Sequence, residues 1–390
     1  VAIRIYLKTE GNSRHPWIFR KMVKHPKGRV SPGSLVEVYS REGNFIGRGF
    51  YHPARILSIR ILTFNPKEPI NEEFFRNRLS AAKVLREQVL RIPEVSDSYR
   101  LVHGEADGLS GLVVDKYSNV LIVEPLSAGY LPFADTIVET LKNLYPGSQV
   151  VFRPDEKIEQ QEGVDFTSLR RRFPPPRTVR IRENKLAMEI SLETGHKTGY
   201  FLDQRENRLS VSQLSEGKEV WDLFCYTGGF GISAALGGAS KVISVDLDEK
   251  ALTTARRNAD INGVTVEYVH EDCFDFLRNR EREGRQADLI IVDPAKLAAV
   301  REEIPRALKT YSDINRLAID RLRPNGILVS CSCSGLIGEP QFLSVLANAA
   351  RESGAELQMF RITGAAPDHP IRTDFPEGRY LKAVFARVLK

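Results

Sequence analysis

Val220-Trp-Asp-Leu-Phe-Cys-Tyr-Thr-Gly-Gly-Phe-Gly231, followed a short helix later by Val242-Ile-Ser-Val-Asp-Leu-Asp248, is the stretch that decides how this chain folds. The first run reads as a buried strand entering a glycine turn, and the second as the next strand, ending in carboxylates. Gly228, Gly229 and Gly231 let a backbone approach a ligand where any Cβ would collide. The turn opens onto the N-terminus of a helix through 232–236, and Asp246 ends the next strand, where a carboxylate can accept both hydroxyls of a ribose. A dinucleotide turn would read Gly-x-Gly-x-x-Gly. Here Asp222, Phe224 and Tyr226 fill the space a pyrophosphate would need. An acidic strand end suits an amino-acid ammonium beside a cationic sulfur, which points to S-adenosylmethionine. A strand–glycine–helix turn is common to many α/β proteins, so function has to be read from the motifs around it.

Working outward, strands and helices alternate through the last half of the chain. The pattern predicts strands at 220–223, 241–245, 265–269, 287–292 and 326–330, with helices over 232–238, 249–261, 274–281, 302–322 and 340–353 between and after them. Such alternation specifies an α/β, doubly wound, Rossmann-like sheet with helices on both faces. Strands near 357–360 and 380–387 would close one edge. Ligands bind such sheets at the carboxyl ends of the strands. Those ends carry Asp222, Asp246, Asp272, Asp293 and the run Cys331–Ser334.

Upstream, alternating and glycine-broken runs at 34–39, 45–51 and 55–62 predict a small β-rich domain. Asn65-Pro-Lys-Glu-Pro69 reads as a linker. Apolar spacing over 72–90 predicts a helix. Short strands at 99–103, 112–115 and 120–124, a helix near 133–144 and a strand near 149–153 form a central α+β domain. Arg170-Arg-Arg-Phe-Pro-Pro-Pro-Arg177 breaks the pattern, because three prolines stiffen a connector and cannot join a central strand. Its arginines suit either a phosphate backbone or bulk solvent. A hairpin beyond Lys185 leads into the last domain. The expected domains are 1–68, 69–184 and 185–390.

A chain of 390 residues needs more than one core. No run is long and apolar enough to span a membrane, and the N-terminal residues lack the apolar core of a secretory signal. Cys225, Cys273, Cys331 and Cys333 show neither zinc-type spacing nor a disulfide framework, so a reducing cytoplasm is expected and no metal. The net charge is +6, but residues 1–60 alone hold twelve Lys or Arg against three Glu. One-signed charge on a small domain favours a polyanion such as nucleic acid.

Three strand ends carry the candidate chemistry. Asp272 could accept from an adenine amino group, or simply cap the helix that follows. Asp293-Pro-Ala-Lys296 either faces an entering base or only terminates a strand. In Cys331-Ser-Cys-Ser-Gly335, a thiolate could add to C6 of a cytosine and make C5 nucleophilic toward a methyl cation equivalent, which is covalent catalysis. The alternative is that cysteine fills the strand end, as a small apolar side chain does.

Several motifs together carry a resemblance to a known family. Gly195-His-Lys-Thr-Gly-Tyr-Phe-Leu-Asp-Gln-Arg-Glu-Asn-Arg208, Phe224-Cys-Tyr-Thr-Gly-Gly-Phe230, Ser332-Cys-Ser-Gly-Leu336 and Asp368-His-Pro370 resemble the class I 23S rRNA cytosine-5 methyltransferases that carry an N-terminal PUA domain. Arg14-His-Pro-Trp-Ile-Phe19 and the segment 100–111 resemble the same family. The resemblance implies a PUA domain, a central domain and a Rossmann-like methyltransferase domain. It implies S-adenosylmethionine as donor and 23S rRNA or a large-subunit precursor as acceptor, with no membrane partner and a homodimer as a candidate assembly. By position it makes Cys333 the nucleophile and Asp293 the residue holding the flipped cytosine. It places Tyr200, Asp203, Gln204 and Arg205 over the cofactor. Asp222, Phe224, Tyr226, Thr227, Gly228, Asp246, Asp272 and Asp293 line its pocket. The family's Asp-Pro-Pro-x-Phe is here Asp293-Pro-Ala-Lys-Leu297, a departure where the base pocket is shaped.

Two other classes compete. A guanine amino-group (N2) methyltransferase needs no nucleophilic cysteine, but favours an Asp/Asn-Pro-Pro-aromatic motif that this chain lacks. A non-catalytic RNA-binding protein would need neither Asp222 nor Asp246.

Overall fold

The computed structural model describes residues 3–10, 13–26, 28–192 and 199–390. It divides into two compact units. The first comprises Val1–Val179, Ser191–Tyr200 and Pro367–Gly378, and the second Arg180–Ile190, Phe201–Ala366 and Arg379–Lys390.

In the first unit, β1 (Ile3–Tyr6), β2 (Trp17–Phe19), β3 (Ser34–Tyr39), β4 (Phe45–Tyr51) and β5 (Leu57–Thr63) form one sheet in the order β1-β3-β4-β5-β2. The expected strands at 34–39, 45–51 and 55–62 are there. Strands β1 and β2 had no clear sequence signal, because both are short, sit at sheet edges and bury one side chain each, Ile5 and Ile18. Next come α1 (Glu72–Val84), β6 (Ser98–His103), β7 (Leu112–Tyr117), β8 (Val120–Pro125), α2 (Ala134–Leu144) and β9 (Gln149–Phe152). The four strands pair in chain order, the last of them parallel across the helix. Phe50 of the small sheet packs edge-on to Tyr130, with centroids 5.0 Å apart, so one apolar core runs through both sheets. Two short helices, α3 (Glu156–Glu162) and α4 (Thr167–Arg172), follow. Arg170 and Arg172 of the polybasic run lie in α4 and pair with Glu159 and Asp135.

The second unit opens with most of the hairpin β10 (Thr178–Glu183)–β11 (Leu186–Ser191) and continues through α5 (Arg205–Leu214). Its sheet holds β12 (Glu219–Leu223), β13 (Lys241–Asp246), β14 (Glu267–His270), β15 (Ala287–Val292), β16 (Leu322–Ser332), β17 (Glu356–Thr363) and β18 (Lys382–Leu389). The helices between them are α6 (Gly229–Leu236), α7 (Glu249–Asn262), α8 (Cys273–Arg282), α9 (Ile304–Arg321) and α10 (Glu339–Glu352). The strand order is β14-β13-β12-β15-β16-β18-β17, with β18 antiparallel to both neighbours. This is a doubly wound sheet whose order reverses between β12 and β15, where such sheets bind ligands. The central parallel strands are largely apolar in their middles, as strands covered on both faces must be; Leu289–Val292 and Val242–Val245 are entirely buried. Helix α6 begins three residues earlier than its apolar periodicity suggested, so Gly229 and Gly231 form its first turn rather than a preceding loop.

Candidate active site at the strand ends

At the switch point the Asp222 side chain is buried at the end of β12. Its Oδ2 accepts the Gly231 N–H at 2.8 Å, tying the strand to the first turn of α6. Its Oδ1 is buried without a hydrogen-bond partner among the described residues. Burial raises its pKa to about 8, the Gly231 bond opposes this, and the charges of Asp293 and Asp246 push the same way as burial. A buried carboxylate oxygen with nothing to bind is what an incoming ammonium would satisfy. A side chain at Gly231 would place its Cβ 2.3 Å from Ser244 Oγ and 3.1 Å from Asp222 Oδ2, so glycine is required beneath the carboxylate.

The backbone of the turn is strained. Phe224 and Tyr226 adopt positive φ angles of 61° and 50°, and Gly228 follows at 87°. Bulky residues rarely enter the left-handed region, and such outliers concentrate at ligand sites. Two contacts hold them there. The Phe224 N–H points at Cys273 Sγ, 3.3 Å away, and the Tyr226 N–H donates to Asp246 Oδ2 at 2.8 Å. Asp246 Oδ1 accepts the Asp248 N–H at 2.9 Å. Asp246 therefore holds the turn with one lone pair on each oxygen, and carboxylate oxygens have a second for ribose hydroxyls. Thr227 anchors its carbonyl on Asn258 Nδ2. Asp272 serves as the N-cap of α8, its Oδ1 accepting from Phe274 and Asp275.

Asp293 leaves β15 directly after Val292, which pairs with Ser330 of β16. Cys333 lies just past the end of β16, its Sγ 4.0 Å from the Pro294 carbonyl oxygen. Of the four cysteines, Cys225, Cys273 and Cys331 are buried, and Cys333 alone is partly exposed. Burial pushes the Cys331 thiol well up. Tyr311 feels the charges of both Cys333 and Asp293, and burial chiefly raises its pKa to about 12.

Two supporting residues, Tyr311 and Lys382, escaped the sequence reading, and Ser334 was named there only as part of the run 331–334. Ser334 Oγ accepts the N–H groups of Leu297 and Ala298 and meets the Tyr311 hydroxyl at 3.2 Å, so it fastens the Asp293 loop to the cysteine loop. Lys382 is 2% exposed and donates to the carbonyls of Ser334 and Tyr380. Burial lowers its pKa to about 8, against the pull of Cys333.

The motif around residue 200 is only partly described, since Gly195–Thr198 lie outside the described residues. In the first unit Tyr200 is buried, and its carbonyl accepts from Tyr117. In the second, Asp203 accepts from the Tyr380 hydroxyl, Gln204 Nε2 donates to Asp293 Oδ1 at 3.1 Å, and buried Arg205 pairs with Glu206. Gln204 thus meets Asp293 directly. The Asp368-His-Pro370 motif belongs to the first unit, where Asp368 accepts the Arg100 N–H with its side chain and Arg86 with its carbonyl.

The basic N-terminal segment is less one-signed than its composition. Arg48, Arg55 and Arg60 pair with Glu37, Glu162 and Glu105. Lys8, Arg14, Lys21, Lys24 and Arg29 are exposed. No described helix is long and apolar enough to cross a membrane.

Known proteins resemble this chain. The model of the S-adenosylmethionine-dependent methyltransferase family matches residues 152–386, and that of the PUA-like domain residues 11–64. A relative named ribosomal RNA large subunit methyltransferase I, from Photobacterium profundum, is 41% identical over 95% of this chain and 94% of its own. Its namesake from Pseudoalteromonas atlantica is 38% identical over 96% of each. Among solved structures, a methyltransferase complexed with SAH superposes with a TM-score of 0.82 at 20% identity, covering 99% of this chain and 100% of that one. A SAM-dependent methyltransferase from Streptococcus mutans gives 0.80 at 19% identity over the same shares, and both likenesses speak to the fold. With its glycine turn and strand-end carboxylates accounted for, the chain belongs to the S-adenosylmethionine-dependent methyltransferase family, alongside the relatives named ribosomal RNA large subunit methyltransferase I.

Proposed function

We propose that this protein methylates C5 of a cytosine in 23S rRNA, using S-adenosylmethionine and a covalent bond to Cys333. The relatives' name supports ribosomal RNA of the large subunit as substrate. The observation that carries the covalent step is that Cys333 alone of the four cysteines keeps access, at a strand end beside the Asp293 loop. The other three are packing.

The donor supplies an electrophilic methyl on a sulfonium. Asp222 binds its ammonium, Asp246 its ribose and Asp272 its adenine amino group, while Phe224, Tyr226, Thr227 and Gly228 shape the pocket. Asp293 accepts from the amino group of the target cytosine. The Cys333 thiolate adds to C6, and the electron pair of the C5–C6 double bond attacks the methyl as its bond to sulfur breaks. Loss of the C5 proton to a base then expels the thiolate and restores the ring, so neither oxidant nor reductant is consumed. Residues 1–68 would grip RNA through their exposed cations, with 69–184 and 185–390 as the central and catalytic domains. The bacterial large-subunit substrate sets the site of action in the cytoplasm.

The test is a trap. With 5-fluorocytosine in the RNA the C5 substituent cannot leave as a proton, and the adduct persists. Wild type should give a denaturation-resistant protein–RNA species mapping to Cys333, and Cys333→Ala should give none while still binding cofactor. Full transfer by Cys333→Ala, with no adduct in wild type, would replace this reading with amino-group methylation.

A further inference from the structure

A buried chain of polar side chains reaches Asp293, and its direction is fixed. Asn207, on α5, is 0% exposed, and Gln204, which caps that helix, is 3% exposed. Asn207 Nδ2 donates to the Gly364 carbonyl at 3.3 Å, and a carbonyl can only accept. That contact settles which end of the Asn207 amide is nitrogen. Its second N–H then goes to Gln204 Oε1 at 2.6 Å, while its oxygen takes the Thr363 hydroxyl, also at 2.6 Å. With Oε1 turned to Asn207, Gln204 presents Nε2 to Asp293, donating to Oδ1 at 3.1 Å, and it also hydrogen-bonds Cys331.

We propose that Asn207 is a positioning residue for methyl transfer, locking Gln204 so that Asp293 is held as an oriented carboxylate that can only accept. This rests on Asp293 holding the target base. The consequence is specificity: an acceptor-only carboxylate must be met by a donor on the base, which the exocyclic amino group of cytosine provides and the O4 of uracil does not. An N–H bond favours the charged form of the carboxylate that accepts it. Without it Gln204 can turn its oxygen toward Asp293, and a protonated Asp293 becomes the matching partner.

Among the described residues, Asp222 of β12, Tyr311 of α9 and Cys331 at the end of β16 feel the charge of Asp293, and Cys331 also feels those of Cys333 and Asp203. Tyr311 and Cys331 are pushed up and stay neutral near pH 7. Asp222 titrates with cofactor binding, so kcat is to be read at saturating S-adenosylmethionine, where its ionisation drops out.

The experiment measures kcat and KM against pH for wild type, Asn207→Leu, Thr363→Val and Thr363→Ser on undermodified large-subunit rRNA, with thermal melting and cofactor affinity alongside. Asn207→Leu should lower kcat at pH 7 roughly tenfold or more through misorientation. It should also move the acid limb of kcat upward, with cofactor affinity within about twofold. Thr363→Val should shift both in the same direction by less, and Thr363→Ser should behave as wild type. An unchanged kcat and acid limb in folded, cofactor-binding Asn207→Leu overturns the proposal. If Asn207→Leu does not fold, Thr363→Val matching Thr363→Ser in kcat and acid limb overturns it instead. Asp293→Asn, run in parallel, separates the two levels. If it retains full activity, the base-holding reading fails; if it is inactive while Asn207→Leu is normal, only the lock fails.

Discussion

Cofactor affinity should depend on pH through Asp222. Its pKa is about 8, so between pH 6 and pH 7 the cofactor-free carboxyl is mostly protonated. Binding an ammonium against the unpartnered Oδ1 requires the ionised form, so the proton must leave. The ionised fraction rises from about 1% at pH 6 to about 10% at pH 7, a tenfold gain in affinity, or about 1.4 kcal/mol. The ligand's own amino group, with a pKa near 8, remains mostly protonated across that interval. Calorimetric titration with S-adenosylmethionine, in two buffers of different ionisation enthalpy, should find about one proton released per cofactor bound. Asp222→Asn should abolish both the slope and the proton release. Wild-type affinity that is flat from pH 6 to 7, with the same apparent enthalpy in both buffers, would refute the placement of the ammonium on Asp222.

The same carboxyl makes a stability prediction of definite sign. Its pKa is raised in the fold from 3.8 to about 8, so the native state binds a proton that the unfolded chain releases. Its contribution to stability therefore falls as pH rises through that window. At pH 7 the deficit is roughly 4 kcal/mol. Asparagine keeps an oxygen for the Gly231 N–H and never ionises. Cofactor-free Asp222→Asn should therefore melt higher than wild type at pH 7, and the two should converge toward pH 4.

Asp246→Ala removes the acceptor for the Tyr226 N–H as well as the proposed ribose acceptor, and calorimetry should show cofactor binding weakened by about 1.5–3 kcal/mol. Exchanging the exposed Lys21, Lys24 and Arg29 for Gln should flatten the slope of log affinity for rRNA against log salt by about 0.7–0.9 for each phosphate no longer neutralised; an unchanged slope would make that surface merely solvated. Lys382 is depressed from 10.5 to about 8, so its contribution to stability is regained as pH rises through that interval. Denaturant titrations should show wild type gaining on Lys382→Met by roughly 3 kcal/mol from pH 8 to 10.5. Cys331→Ala should lose about 1 kcal/mol of stability from a small core cavity and keep most of its methyl transfer.

The methyltransferase sheet was legible because its physics is local. Parallel strands buried on both faces appear as apolar runs, as in β13 and β15, and the helices between them carry their own periodicity, while the edge strand β14, with no buried residue, was placed by the alternation of strands and helices. The carboxylates were legible because strand ends are fixed by the strands. What escaped depends on partners distant in sequence. Lys382 is an ordinary lysine in an edge-closing strand until β18 inserts between β16 and β17 and buries it beside Ser334. Asn207 sat inside a recognised motif, yet its partners Thr363 and Gly364 lie more than a hundred residues away. Charge in the N-terminal segment could be counted but not paired, since Arg55 and Arg60 meet Glu162 and Glu105 from beyond it.

The two cysteines at the end of β16 show where alternation stops being informative. Cys331 and Cys333 are two residues apart, so the pleat of a continuing strand would send both to the same face. The distinction arises because pairing with β18 stops at Ser332, opposite Lys382. Cys331 is still within the ladder, and its thiol packs in the apolar cluster with Val329, Ala383 and Phe385. One residue past the last pair the chain turns, Ser334 is drawn in to hold the Asp293 loop, and Cys333 is left half-buried between the two loops. The nucleophile proposed for this site has to reach its substrate and yet be held, and termination of the ladder would provide both. Extending the β16–β18 pairing by two residues would bury Cys333 as deeply as Cys331, with its thiol raised and out of reach. Reactivity toward a small alkylating reagent should therefore be confined to Cys333 in the folded protein, and preferential labelling of Cys331 would reverse the assignment.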